Sequence, residues 1–370
     1  MPLKSIRFWL LSAFSLQGGI ERFNRALLHA MYLLEQKRGC NVSAMILHDN
    51  GLNENSYVPS TRLKALKGNK IYFLLSSLLY LFKRETWVIG HMNLAPIGYL
   101  RKLIFPSRRL IMICHGIEVF QPLKGIKKKI LQKADMILAV SSHTKSELIL
   151  KQNVAEEIII LFPNTLDPFF KLPINFNKPD YLKKRYHISE EKILLTVARL
   201  SSSEGYKGYD QVLNTIPQLL KSGQDVKYIL CGKADATEET RIRNLIQKLE
   251  IESHVVLTGF IPENELVDHY LLSDVFVMPS KGEGFGIVYL EAMACGREVV
   301  AGNKDGSTEA LQFGKLGTLV DPDDQQDLLN GISSALSNPR DPLLIQQKML
   351  EHFSFEEFKK RTASVFLSTN

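Results

Sequence analysis

Cysteine is scarce: Cys40, Cys114, Cys231 and Cys295 are the four in 370 residues, far apart, with no Cys-x-x-Cys and no clustered histidine. That excludes a disulfide scaffold and a zinc module. Each thiol lies in or beside an apolar run such as Met112-Ile113-Cys114, as expected of a reduced core cysteine in a cytoplasmic protein. Internal repeats and low-complexity segments are also missing, so solenoids and fibrous chains fall away. With 45% hydrophobic and 23% charged residues, disorder falls away too. The densest apolar run, Ile71 to Phe82, is well short of the roughly 20 residues that span a bilayer.

What is present is a basic surplus. Lys and Arg number 46 against 39 Asp and Glu, for a net charge of +7. Such a balance suits an anionic partner, a nucleotide or a phospholipid surface. Basic triplets such as Lys127-Lys128-Lys129 and Lys359-Lys360-Arg361 are scattered and read as solvated helix faces, so no nucleic-acid groove is expected. The segment Lys4 to Leu16 mimics a signal peptide, yet it runs directly into Gln17-Gly18-Gly19-Ile20 and a helical pattern, which fits a buried first strand, a tight loop and a helix. Ile71 to Phe82 reads as a buried helix, with a flank dipping into a membrane surface beside Lys83 and Arg84 as the alternative.

Short apolar runs alternate with longer amphipathic ones. Ile6-Leu11, Val42-Leu47, Thr86-Ile89, Leu110-Cys114, Met136-Val140 and Ile158-Leu161 read as strands. The alternation pauses from Pro163 to Tyr186, a stretch with Pro168, Pro173 and Pro179. It resumes with Ile193-Ala198, Lys227-Cys231, Val255-Thr258, Val275-Met278 and Val299-Ala301. Unbroken apolar strands alternating with helices imply parallel sheets covered on both faces. The fold class is therefore α/β, with two Rossmann-like, doubly wound domains. Residues 1–170 form the N-terminal domain and 171–350 the second. The helix in 351–370 returns to the first domain. Ligands of such sheets bind at the carboxyl ends of strands, and a cleft between two such domains is the expected site.

The most specific string is Ser280-Lys281-Gly282-Glu283-Gly284-Phe285-Gly286-Ile287-Val288-Tyr289-Leu290-Glu291-Ala292-Met293-Ala294-Cys295-Gly296. A strand ends at Met278, a glycine-rich loop follows, and a helix begins near Gly286. That arrangement turns backbone N–H groups and a positive helix end toward an anion such as a pyrophosphate. Glu283 in the loop and Glu291 two turns into the helix can address separate parts of an extended ligand, and carboxylates accept from vicinal sugar hydroxyls.

This string resembles the E-x7-E signature of the GT4 family of retaining glycosyltransferases, which have the GT-B fold. Other landmarks follow in order along nearly the whole chain. Gly18-Gly19-Ile20 resembles the N-terminal glycine loop, and His115-Gly116 the histidine that follows a strand on the catalytic face. Pro163-Asn164 closes the first domain as in the family, and the resemblance implies that 1–170 is the acceptor side and that 171–350 binds the nucleotide sugar. Arg199 and Lys207 resemble the basic clamp on the leaving diphosphate, although the loop from Ser201 to Tyr206 is longer than the common spacing. The resemblance implies that Arg199 and Lys207 neutralise charge developing on the leaving group. It also implies that His115 hydrogen-bonds the donor sugar, with Glu118 facing the same place. Glu283 grips the transferred sugar and Glu291 the ribose. The amides of Phe285, Gly286 and Ile287 meet the β-phosphate, and Gly259-Phe260-Ile261 contacts the base. Asp305, Gly306, Ser307 and Glu309, in the next loop, are left outside the site.

The family resemblance further implies retention of configuration by front-face attack and no cofactor or metal, a helix end and basic side chains taking the place of a divalent ion. The expected donor is a nucleotide sugar, UDP-glucose first, then UDP-N-acetylglucosamine and GDP-mannose. A polysaccharide or lipid-linked saccharide is the expected acceptor, met in the cytoplasm with peripheral contact to a membrane face. Three rivals stand beside it: a GT-B epimerase or hydrolase, a non-catalytic nucleotide-sugar-binding scaffold, and an NAD-dependent dehydrogenase. The last fits poorly because Gly18-Gly19 does not complete Gly-x-Gly-x-x-Gly.

Overall fold

The computed structural model describes residues 5–51 and 55–367, so Lys4 and the last three residues of the expected C-terminal segment lie outside the described residues. The chain divides into two compact units, Met1–Phe169 with Phe353–Asn370, and Phe170–His352.

The first unit holds β1 (Ser5–Leu10), β2 (Asn41–Ile46), β3 (Leu63–Ala65), β4 (Thr86–Ile89), β5 (Leu110–Cys114), β6 (Met136–Ala139) and β7 (Ile159–Leu161). They form one parallel sheet in the order β3-β2-β1-β4-β5-β6-β7. Every residue of β5 is buried, because helices cover both faces of the sheet. Trp9, Trp87, Met112 and Ile137 form one side of the core. The helix Phe355–Leu367 packs on the helix Gly19–Arg38 in this unit. Phe358 meets Phe162 and Phe23 edge-on at 5.0 and 5.9 Å between centroids, and the hydroxyl of Thr165 donates to the carbonyl of Phe353 at 3.0 Å.

The second unit holds β8 (Lys192–Val197), β9 (Val226–Cys231), β10 (Val255–Gly259), β11 (Val275–Met278), β12 (Glu298–Gly302) and β13 (Thr318–Val320), all parallel, in the order β10-β9-β8-β11-β12-β13. Two of its helices, Ala236–Lys248 and Gln325–Ser337, begin where short polar side chains take up the orphan amides of the first turn. Asp235 accepts from the N–H of Glu238, and Asp324 from those of Gln326 and Asp327. Strand order reverses between β1 and β4 in one sheet and between β8 and β11 in the other. The loops after these strands therefore flank the crevice that such sheets leave open.

Three expectations change. The edge strands β3 and β13 and the helix Pro342–Phe353 are additions to the sequence reading, and the proline-rich stretch contains a short helix, Asp180–Arg185. The helix over the apolar run spans Lys70–Leu81, but it is not buried: Ile71 is 74% and Leu79 75% exposed. All four cysteines are free and buried, and burial pushes the Cys231 thiol up to about 12.

Candidate active site

In the second unit the loop after β8 carries Arg199 and Lys207, and the loop after β11 carries Glu283. Gly208 brings the two loops together. Its φ is +83°, and a Cβ there would stand 2.3 Å from the carbonyl oxygen of Pro279, so only glycine permits the approach. The amide of Lys281 then donates to the carbonyl of Tyr206 at 2.9 Å, and the Tyr206 ring lies where a Cβ on Gly282 would be. Lys207 Nζ, folded in beside this contact, is hydrogen-bonded to a carboxylate oxygen of Glu283. Burial works against the Lys207 ammonium, but the Glu283 carboxylate outweighs it and holds the Lys207 pKa above its ordinary value. Arg199 is bonded to Glu204, within the extended loop, and its side chain is 75% exposed.

Behind Glu283 stands Asp305, in the loop after β12. Its carboxylate accepts from the N–H of Glu283 at 2.7 Å and from that of Ser307 at 2.9 Å. Burial raises the Asp305 carboxyl to about 6 against those hydrogen bonds. Gly306 donates to the carbonyl of Glu283 at 2.9 Å, and any Cβ at 306 would meet the carbonyl oxygen of Gly284 at 2.1 Å. The segment set aside in the sequence thus fixes the backbone of the glutamate assigned to the sugar. An Asp-Gly-Ser turn in the loop after a strand is the available signal, since such an aspartate commonly bonds the amide two residues on.

Gly286, at φ +88°, opens the helix Ile287–Ala294, and a Cβ there would collide with the Tyr289 ring. Phe285 and Ile287 are buried on either side of it. The Tyr289 hydroxyl donates to the carbonyl of Met278 at 2.8 Å, tying the helix to the end of β11. Glu291 is buried and accepts from the hydroxyl of Tyr270 at 2.8 Å. Gly259, at φ +68°, ends β10 with open space around its Cα, and its carbonyl accepts from Gly232 at 3.0 Å. Phe260 is exposed and Ile261 half-buried.

In the first unit His115 follows β5. Its Nε2 lies 2.9 Å from the carbonyl oxygen of Gly90, at the end of β4. A carbonyl can only accept, so Nε2 carries the ring proton and Nδ1 keeps a lone pair. Burial lowers the imidazole to about 4 against the pull of that carbonyl. The ring also meets Phe23 edge-on at 5.1 Å. The backbone N–H of His115 donates to Glu118 at 2.5 Å. Burial raises the Glu118 carboxyl and lowers neighbouring His91 to about 4.

In the glycine loop the backbone itself does not require glycine. Gly18 has φ −165°, which any residue adopts, and Gly19 has nothing within 4 Å of a Cβ position. A Cβ at Gly18 would stand 2.5 Å from the Glu21 carboxylate, the far end of a flexible side chain, so open space lies at Gly19 alone. Asp49, which sequence reasoning passed over, secures the loop instead. It is fully buried and accepts from the Ser12 hydroxyl and from the amides of Ala13, Phe14 and Ser15 at 2.9–3.2 Å. Among the described residues no three His, Cys, Asp or Glu side chains gather as metal ligands would.

The solved structure of a glycosyltransferase from Rickettsia africae ESF-5 superimposes with a TM-score of 0.75, covering 99% of this chain and 98% of that one at 17% identity. Anabaena HepE in complex with UDP does so with a TM-score of 0.74, covering 98% and 100%, also at 17% identity. The fold is GT-B. In sequence, the GDP-mannose-dependent alpha-(1-6)-phosphatidylinositol monomannoside mannosyltransferase of Mycolicibacterium smegmatis is 30% identical over 63% of this chain and 62% of its own length. The chain thus spans less than two thirds of that relative. Residues 177–352, which contain the Lys207–Glu283 pair and the Gly286 helix start, match the family of glycosyl transferases group 1. The chain therefore carries, over residues 177–352, a domain of the glycosyl transferases group 1 family.

Proposed function

We propose that this protein is a retaining, metal-independent glycosyltransferase that moves a hexose from a nucleoside-diphosphate sugar to a saccharide or lipid-linked saccharide during glycan synthesis. The observation that carries this reading is the Lys207–Glu283 pair beside a glycine-opened helix start, with Glu283 held from behind by Asp305. Such a site pairs a cation for the leaving diphosphate with a carboxylate for the sugar hydroxyls.

Arg199, exposed and bonded to Glu204, is assigned the leaving diphosphate together with Lys207, which would exchange its carboxylate partner for phosphate oxygens. The amides of Phe285, Gly286 and Ile287 are assigned the β-phosphate, Glu291 the ribose, and the loop Gly259-Phe260-Ile261 the base. Gly18 and Gly19 are assigned a close approach of ligand to backbone, for which Gly19 leaves the room. His115, neutral at physiological pH, is assigned a sugar hydroxyl, and with Nε2 committed to Gly90 it acts through Nδ1 as an acceptor. Retention follows if the leaving phosphate oxygen takes the acceptor's proton on the same face.

UDP-glucose is the first donor, in keeping with the UDP bound by Anabaena HepE. GDP-mannose is the second reading, favoured by the name of the mycobacterial relative, which also supports a lipid acceptor. The test is transfer from each nucleotide sugar in EDTA, followed by the anomeric configuration of the product. Acceptor-dependent release of the nucleoside diphosphate with retention is the expected outcome. Free sugar without any acceptor would instead make the protein a hydrolase or epimerase, and binding without turnover a scaffold.

A further inference from the structure

The helix Lys70–Leu81 is inside out. Its buried face holds Phe73, Leu81 and two serines, Ser76 and Ser77, at 3% and 2% exposure. Its outward face carries Ile71, Leu74, Leu75, Leu78, Leu79 and Phe82, the last, just past its end, 69% exposed. A helix that served only its own core would place leucine inward and serine outward. The apolar surface continues onto the next helix, Ala95–Ile104: Phe82 meets Phe105 edge-on at 5.5 Å, and Leu103 and Ile104 are exposed beside it. Contiguous apolar surface of this kind marks an interaction site.

The mounting is rigid. Asn69 caps the helix start, accepting from the N–H of Tyr72 at 2.9 Å. At the other end the buried Arg101 guanidinium donates to the carbonyls of Leu81, Lys83 and Glu85 and lies over the Trp87 ring at 4.3 Å.

Charge indicates what covers the face. Residues 55–117 contain ten Lys and Arg and one acidic residue, Glu85, which is spoken for by Arg7 at 2.6 Å. This segment's surplus exceeds that of the whole chain. Lys64, Lys67, Lys70, Lys83 and Arg84 are exposed, and the Arg108 guanidinium sits 5.5 Å from the Phe105 ring. An apolar helical face fringed by cations matches an anionic lipid surface, apolar groups entering the acyl boundary while cations meet headgroup phosphates. Twelve residues make a helix of about 18 Å, too short to cross a bilayer and suited to lying in its plane. No helix among the described residues is long and apolar enough to span one.

We propose that the helix Lys70–Leu81, extended by Phe82 and by Leu103-Ile104, docks the protein on an anionic membrane surface. This deepens the proposed glycosyltransferase reading, since it places the protein where a lipid-linked acceptor would be found.

The test is flotation of the full chain with vesicles of phosphatidylcholine alone or mixed with phosphatidylglycerol, without nucleotide. The wild type is expected to float with the anionic vesicles, and binding should fall steeply as salt rises. Ile71→Gln/Leu79→Gln should bind at least about tenfold more weakly, because both side chains face outward and contribute their area to the bilayer instead of the core. Lys83→Gln/Arg84→Gln should weaken binding to anionic vesicles by about tenfold or more and leave binding to neutral ones unchanged. A wild type that floats with neither vesicle, or variants that float as it does, would overturn the proposal. So would a dimer in sedimentation that Ile71→Gln/Leu79→Gln dissolves while no vesicle is bound. Titration of each variant with UDP and GDP separates the two readings: nucleotide binding without vesicle binding sinks only the docking face, and vesicle binding without nucleotide binding sinks only the proposed enzyme.

Discussion

Glu283 and Arg199 are assigned different parts of the donor, the sugar and the diphosphate, and the difference predicts different phenotypes. Glu283 is fixed through its backbone by Asp305 and Gly306, so on the proposed function it would meet the sugar from a preset position even after Lys207 has turned to the diphosphate. Glu283→Gln should lower turnover by about a hundredfold while changing nucleoside-diphosphate affinity little. Arg199→Ala should weaken that affinity by about tenfold or more, as loss of a charge-assisted contact does. Steady-state kinetics with calorimetry on both variants checks this, and equal, negligible effects would contradict the assignment.

His115 carries a pH signature. Its folded value is near 4, whereas an unperturbed imidazole titrates near about 6.5. Between those values the unfolded chain binds a proton that the folded chain refuses, so stability falls as pH drops through that window. Asp305, raised to about 6, contributes with the opposite sign, because the folded chain keeps a proton there that the unfolded chain releases. Comparing wild type with His115→Gln removes that contribution. The variant should show a shallower fall in Tm from about pH 6.5 to about 4.5, slower transfer, and unchanged UDP or GDP binding. Lost nucleotide binding would mean that the residue's role is misassigned.

At the scale of elements, the loop between β8 and the helix Tyr209–Lys221 depends on Gly208. Gly208→Ala forces a side chain into positive φ, at about 1–3 kcal/mol, and against the Pro279 carbonyl. The expected result is a lower Tm together with weakened nucleotide binding, because Lys207 moves with the loop; an unchanged Tm and affinity would contradict it. Elements also show what was legible in the sequence. Strands such as Leu110–Cys114 and Val275–Met278 could be read to the residue, because a strand covered on both faces has no polar positions. The edge strands Leu63–Ala65 and Thr318–Val320 could not, because each is three residues long and Lys64 and Thr318 break its apolar run, whereas the equally short Ile159–Leu161 is wholly apolar. The helix Lys70–Leu81 was legible as a helix but not in its orientation, since an apolar string with two serines does not declare that the serines face inward.

For the whole molecule, the residues of the candidate site were legible as loop positions after strands, but their pairings were not. Lys207 and Glu283 lie 76 residues apart, and what joins them is a glycine's contact with a proline carbonyl. Asp305 and Asp49 act through backbone amides of other loops, which no local pattern in those loops announces. Two sheets with the same order of winding, each reversing beside its first strand, put these loops at carboxyl ends in both units, and that much follows from the strand–helix alternation alone.

The central claim is that the second unit binds a nucleoside diphosphate through side chains and a helix end, without a metal. Calorimetric titration of UDP, GDP, ADP and NAD in EDTA tests it most directly. UDP or GDP is expected to bind with one site per chain, and Arg199→Ala and Lys207→Ala are each expected to weaken that binding. Binding of NAD alone, or of none of the four, would contradict it.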